Sequence, residues 1–229
     1  MNPQETSDSL VTSGGSDIVL YHYWRSSAAY RVRIALNLKG LSYQLLPVHL
    51  VKDGGEQHMQ AFRSINPQGL VPVLVHKGRV ISQSMAICEY LDEEFDTYPL
   101  LTGDAVQRAQ TRSMTLAIAC DVHPLNNLRV LQYLKTGVAS DIDQTAWMHH
   151  WMDLGFSSLE QQLDQLLSEN GCLNERPGLF ECFLVPQVYN AERFELDMSK
   201  YPLISRLTER CRALPEFIRA APENQPDAT

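Results

Sequence analysis

The sequence predicts an α/β domain followed by an all-helical one, and three observations predict it. Between residues 18 and 95, short apolar runs alternate with stretches of helical periodicity in the order β-α-β-α-β-β-α. Beyond residue 104 no strand pattern recurs, and apolar residues return at helical spacing over long stretches. Between the two, Asp96 to Gly103 carries Pro99 and Gly103 and reads as a linker. The predicted organisation is a flexible extension at 1–17, an α/β domain at 18–96 and a helical domain at 104–229. The extension is polar, rich in Ser and Gly, and carries Glu5, Asp8 and Asp17.

Taken in order, residues 18–23 predict a buried strand. Residues 27–39 predict a helix with Ala29, Val32 and Leu36 on one face and Gly40 as its stop. Tyr43 to Leu50 reads as extended, Lys52-Asp53-Gly54-Gly55 as a turn, and His58 to Ser64 as a short helix. The loop Asn66-Pro67-Gln68-Gly69 leads to a strand over 71–76, a turn at Lys77-Gly78 and a strand over 79–81. A helix over 84–95 carries Ile87, Leu91 and Phe95 at one-turn steps. In the second half, helices are expected over 104–135, 143–169, 178–194, about 202–212 and 215–220, with Asn170-Gly171 stopping the second of them. The stripe of Leu154, Leu159, Leu163, Leu166 and Leu167 is too short for a zipper and reads as core.

Composition excludes several function classes. The chain has 229 residues, 44% of them hydrophobic, and a net charge of −8. That charge disfavours nucleic acid and anionic membrane surfaces, both of which select for clustered Lys and Arg. No run approaches the roughly 20 apolar residues of a membrane span, and the first residues lack the apolar centre of a signal peptide. Cys88, Cys120, Cys172, Cys182 and Cys211 are odd in number and scattered, which suits buried thiols in a reducing, cytoplasmic setting. The histidines are scattered too, and no metal-ligand spacing appears, so no metal is expected.

Three places carry chemistry. Ser26-Ser27 stands where a strand gives way to a helix, and a helix start offers unpaired N–H groups and partial positive charge. A hydroxyl there can hold an anion such as a thiolate; the plainer reading is a helix cap. Gln83-Ser84 repeats this arrangement after another strand and could hold a carboxylate, again with a plain cap as the alternative. Val71-Pro72 precedes the third strand, and together with the element order it resembles a thioredoxin-like fold, which implies a cis proline and an outward-facing Val71 backbone able to pair with a peptide. Ser26, Ser27, Ala28 and Ala29 stand where thioredoxins carry cysteines, so disulfide exchange is excluded there, whereas a bound external thiol is not. A thiolate, a peptide backbone and a carboxylate together spell γ-Glu-Cys-Gly, glutathione.

Six segments then carry a family resemblance. They are Trp24-Arg25-Ser26-Ser27 through Tyr30-Arg31-Val32-Arg33-Ile34-Ala35-Leu36, Lys52-Asp53-Gly54-Gly55-Glu56, Asn66-Pro67-Gln68-Gly69-Leu70-Val71-Pro72, Gln83-Ser84, Cys120-Asp121-Val122-His123-Pro124-Leu125-Asn126-Asn127, and Leu184-Val185-Pro186-Gln187-Val188 through Ala191-Glu192-Arg193-Phe194. Over about residues 18–226 the chain resembles the zeta class of glutathione transferases. The resemblance implies that Ser26, with Ser27 beside it, supports the glutathione thiolate. It implies that Gln57, Val71, Pro72, Gln83 and Ser84 hold the tripeptide, and that His123 and Asn127 reach in from the helical domain. Arg25, Arg129 and Arg193 attach to segments that should border the cleft and are expected to clamp substrate carboxylates. The implied reaction is glutathione-dependent cis–trans isomerisation of a maleyl keto acid in aromatic amino-acid catabolism, by a cytoplasmic homodimer. The alternatives are a shorter maleyl diacid, conjugation or dehalogenation of small acids, and non-catalytic ligand binding. Two departures stand out: Ala28 where a cysteine is usual, and Glu181 where an aspartate is usual.

Overall fold

The computed structural model describes residues 17–138, 141–170 and 176–229. A mixed sheet is built from β1 (Ile18–His22), β2 (Gln44–Pro47), β3 (Val73–His76) and β4 (Arg79–Ser82), in the order β2-β1-β3-β4. β1 runs parallel to β2 and antiparallel to β3, and β3 runs antiparallel to β4. Parallel neighbours need a crossover, and α1 (Ser27–Leu38) supplies it. α2 (Gln60–Ile65) precedes β3, and α3 (Ser84–Glu94) follows β4. The sequence reading overran the strand ends: the expected strand at 43–50 contracts to β2, and the one at 71–76 starts at Val73. The short helix expected from His58 begins at Gln60, behind two short 3-10 turns at Lys52–Gly54 and Glu56–His58. The Val71-Pro72 peptide is cis, as the resemblance implied.

The helical half comprises α4 (Ala105–Leu116), α5 (Leu128–Tyr133), α6 (Gln144–Asn170), α7 (Leu179–Arg193), α8 (Pro202–Arg212) and α9 (Pro215–Ala220). The single helix expected over 104–135 is interrupted. After α4 the chain widens into a π-helical turn, Ala117–Val122, and then tightens into a 3-10 turn, His123–Asn126. Pro124 accounts for the break, because it lacks an N–H and its ring crowds the carbonyl one turn earlier. Asp104 starts α4 with a reciprocal cap: its carboxylate accepts from Gln107 N at 2.9 Å, and its own N donates to Gln107 Oε1 at 2.9 Å. Glu181 performs the equivalent service for α7, accepting from Gly178 N at 2.8 Å. The expected extension lies outside the described residues up to Ser16, and so do Gly171 and Cys172.

Strand alternation divides the core. Leu20 and Leu74 face a large cluster that continues through Ile34, Leu36 and Ile87 into Met114, Ile118, Met152, Phe156, Phe183 and Leu184. The sheet and the helical half therefore share one core, with α1 between them. The opposite face carries a smaller cluster of Tyr23, Trp24, Val48, Phe62, Val71 and Val73. In the leucine stripe of α6, Leu159 and Leu163 are buried, whereas Leu154 is exposed and belongs to no core. Cys88, Cys182 and Cys211 are buried as expected, but Cys120 is exposed, because the π-helical turn presents it to a cleft.

Candidate active site

The turn from β1 into α1 is held on both sides. Trp24 N donates to Asp227 Oδ2 at 3.0 Å, and Trp24 O accepts from the buried Arg33 Nη2 at 3.0 Å. Ser26 follows with extended backbone, φ −70° and ψ 115°, and its Oγ accepts from Ala29 N at 3.2 Å. Ser26 is thus the N-cap of α1, and its hydroxyl proton is left to be donated elsewhere. Ser27 is the first residue of the helix.

Just beyond this turn lies a cavity of about 190 Å³. α1 contributes Ala28 and Arg31, the loop before β3 contributes Asn66, Gln68, Val71 and Pro72, and the start of α3 contributes Gln83 and Ser84. The far wall comes from the broken helix: Leu116, Cys120, His123, Pro124, Asn127 and Arg129. Local hydrogen bonds shape these walls. Asn66 Nδ2 donates to Leu70 O at 2.8 Å and Asn66 Oδ1 accepts from Gln68 N at 3.1 Å, which folds the loop on itself. Gly69, at φ +62°, packs so close to the backbone of Gln57 that a side chain there would meet Gln57 O at 2.9 Å. Gln83 sits at φ +71°, a conformation costly for a residue with a side chain, and its Nε2 donates to Gln68 Oε1 at 3.0 Å. Ser84 Oγ accepts from Arg31 Nη1 at 3.2 Å.

Of the residues singled out in the sequence, the cavity brings together Val71, Pro72, Gln83, Ser84, His123, Asn127 and Arg129. Ser26 and Ser27 are not among its lining residues; they precede Ala28, which is. Gln57 is buried beside the wall, where its Nε2 donates to Leu50 O at 3.1 Å and its Oε1 has no partner. The Asn127 side chain caps α5, accepting from Arg129 N at 3.1 Å. Burial, then the positive charges of Arg31 and Arg129, hold the His123 pKa well below the usual imidazole range, so the ring is neutral at neutral pH. The three arginines do not share one wall. Arg129 lines the cavity, whereas Arg25 stacks 4.2 Å from the Trp24 ring centroid and Arg193 lies 4.4 Å from that of Phe194. Burial, then the nearby charge of Arg25, draws the Arg193 pKa down.

Sequence reasoning missed Arg31, Asn66, Gln68 and Cys120 as wall residues. Arg31 left no distinct signal, because Arg33 stands two residues on as a second charge in the same helix; its burial, at 2% exposed, is what marks it. Asn66 and Gln68 read only as loop formers, and the position of Cys120 depends on the π-helical turn.

The chain is similar to known proteins over most of its length. The family described as "Glutathione S-transferase, N-terminal domain" matches residues 20–99. A protein named "Probable maleylacetoacetate isomerase" from Vibrio cholerae serotype O1 is 52% identical over 213 residues, covering 92% of this chain and 98% of its own. The holo structure of a maleyl pyruvate isomerase, described as a bacterial glutathione S-transferase in the zeta class, superposes with a TM-score of 0.85 at 41% identity, covering 92% of this chain and all of its own. A maleylacetoacetate isomerase from Anaeromyxobacter dehalogenans with glutathione bound in its active site superposes with a TM-score of 0.81 at 37% identity, over 94% of this chain and 99% of that one.

Proposed function

The chain belongs to the zeta class of the glutathione transferase family, and from that premise we propose that it is a glutathione-dependent cis–trans isomerase converting maleylacetoacetate to fumarylacetoacetate. One observation carries the reading: Ala28 in the first turn of α1, the Val71-Pro72 corner and the start of α3 line one cavity, and Ser26 caps α1 two residues before Ala28. These residues suit a γ-glutamyl tripeptide. Val71 can pair with its backbone as an added strand would, and Gln83 and Ser84 can hold its α-carboxylate. Gln57, His123 and Asn127 complete the enclosure. When bound, glutathione supplies a thiolate that adds to the cis double bond and leaves again after rotation about the resulting single bond.

The chain's own residues have three tasks in this reading. Ser26 donates its hydroxyl proton to the sulfur anion while its oxygen stays engaged with Ala29 N, and the start of α1 adds favourable partial charge. Arg129, Arg25 and Arg193 bind and orient the carboxylates of the diacid from two sides, and offset the negative charge that develops on its carbonyl. His123, held neutral, can hydrogen-bond without adding a further positive charge. Ala28 in place of the usual cysteine leaves this assignment unchanged, because the reacting sulfur belongs to glutathione. The scattered thiols support a cytoplasmic setting, and the family resemblance supports a homodimer.

A second reading, maleylpyruvate as the substrate, is favoured by the 0.85 TM-score against a maleyl pyruvate isomerase. A glutathione-dependent isomerisation assay with both maleyl acids separates them. The higher kcat/KM is expected for maleylacetoacetate, with free thiol recovered unconsumed. A higher value for maleylpyruvate moves the assignment to the shorter acid, and net loss of thiol during turnover moves it to conjugation.

A further inference from the structure

Cys120 is the one exposed cysteine among the described residues. Cys88, Cys182 and Cys211 are buried in the shared core, where burial pushes their thiols up, to about 12 for Cys88 and Cys211. Such thiols are inert. Cys120 stands instead in the π-helical turn Ala117–Val122, a rare geometry that recurs at functional sites. It lines the same cavity as Val71, Gln83 and Ser84.

A second, independent feature of that cavity points to a ligand. Arg31 also lines it and is 2% exposed, yet its Nε and Nη2 have no acceptor among the described residues. Burial draws the Arg31 pKa down only to about 10, so the guanidinium stays charged at neutral pH. An unpaired buried cation is costly until an anionic molecule enters. Cys120 is one of the two thiols whose charge is felt at Arg31. An exposed thiol on an electropositive wall is the setting in which cysteines react.

We infer that Cys120 is a redox modification site, whose thiol exchanges with glutathione disulfide and is capped by one glutathionyl group. The inference rests on the glutathione reading and goes beyond it, because the isomerisation itself needs no protein thiol. A cavity that suits a γ-glutamyl tripeptide also suits the disulfide of that tripeptide, and holding it there raises the local concentration of the reacting bond. The Cys120 sulfur gives its proton to solvent and attacks one sulfur of the disulfide. A Cys120–glutathionyl S–S bond forms as the original S–S bond breaks. The electron pair leaves on the second glutathione, which takes up a proton as free thiol. Cys120 is oxidised and half of the disulfide is reduced, so no further oxidant is needed. The cap occupies the cavity, and isomerisation stops until a thiol reverses the exchange.

The test incubates wild type and Cys120→Ser with glutathione disulfide, removes the excess and maps adducts by peptide mass spectrometry. Wild type is expected to carry one glutathionyl group, on Cys120. In the glutathione-dependent isomerase assay, treated wild type should start slowly and then accelerate to its untreated rate as glutathione removes the cap. Treated C120S should start at its own untreated rate. Hydroxyethyl disulfide carries no peptide to recognise. With each rate divided by that for free cysteine, it should modify Cys120 about tenfold more slowly or less. S-methylglutathione, which fills the cavity without a thiol, should protect Cys120 from both reagents. An adduct on another cysteine, a disulfide between two cysteines of the chain, or an adduct that forms equally fast with S-methylglutathione present overturns the inference. Wild type that neither isomerises with glutathione nor binds S-methylglutathione overturns the glutathione reading itself. Wild type that does both while Cys120 stays unmodified overturns this inference alone.

Discussion

Ser26 has two tasks that a single substitution would confound. Its oxygen caps α1 through Ala29 N, and its proton is assigned to the bound sulfur. Replacing it with Ala removes both, which should cost about 1 kcal/mol of stability through the lost cap and about a hundredfold in kcat through the lost donor. Ser26→Asp separates them, because aspartate caps a helix as well as serine does but places negative charge beside the sulfur anion. The expected outcome is an S26D protein that melts close to wild type yet turns over no better than S26A; an active S26D protein would remove the serine from sulfur binding. This residue was legible in the sequence because a hydroxyl between a strand and a helix has few uses. Arg31 was not, because an arginine in a helical pattern looks the same whether it faces water or lines a buried cavity wall, and only its burial distinguishes the two. Arg25 and Arg193 were expected to border the cleft with Arg129, but only Arg129 lines the cavity, a placement that depends on the path of the helices and not on any local spacing.

At the scale of elements, the strands and helices of the first half follow from alternation and periodicity, and errors are confined to ends. The largest miss is the helix drawn through residues 104–135. Its apolar periodicity continues across Pro124, so the pattern alone could not show that the helix widens into a π turn before the proline and tightens after it. That irregular passage is what turns Cys120, His123 and Asn127 to the cavity. The start of α7 shows the opposite case, in which an unusual residue keeps a local rule. Glu181, 3% exposed, accepts from Gly178 N at 2.8 Å, and Leu179 N donates to Leu100 O at 2.7 Å, tying the linker to the helix. Burial raises the Glu181 pKa above the usual carboxylate range. The folded state therefore holds this proton to higher pH than the unfolded chain does, and stability falls as pH rises from the ordinary carboxylate pKa toward the raised one. Glu181→Gln keeps an acceptor for Gly178 N and removes the titration. Its melting temperature relative to wild type should climb with pH across that window, and a constant difference between the two proteins would show that Glu181 ionises as freely in the fold as in the unfolded chain.

For the molecule as a whole, the last residues of the chain fasten the helical half to the strand that opens the site. Asp227 Oδ2 accepts from Trp24 N, and Asp227 Oδ1 lies 3.6 Å from His22 Nε2. Arg33 donates to Ala220 O at 2.9 Å and to Trp24 O at 3.0 Å, with His22 Nδ1 at 3.4 Å from its Nη1. The join thus links β1, α1 and the segment after α9 directly beneath Ser26, and its weak point is His22. Burial, then the charge of Arg33, lowers the His22 pKa from 6.5 to about 4, with Asp227 offsetting part of the shift. Between those two values the unfolded chain binds a proton that the folded one refuses, so this contribution to stability is complete above about 6.5 and is lost as pH falls toward about 4. Urea titrations across that range should show the unfolding midpoint of wild type dropping with acid, and that of His22→Gln dropping less. Because the join holds both backbone groups of Trp24, acid should also loosen the β1–α1 turn before the core gives way. Glutathione affinity is then expected to fall at a pH where the far-ultraviolet circular dichroism is still native, and His22→Gln should retain that affinity to lower pH. Parallel loss of affinity and helicity in both proteins would mean that the tail supports the fold as a whole and exerts no particular hold on the turn that carries Ser26.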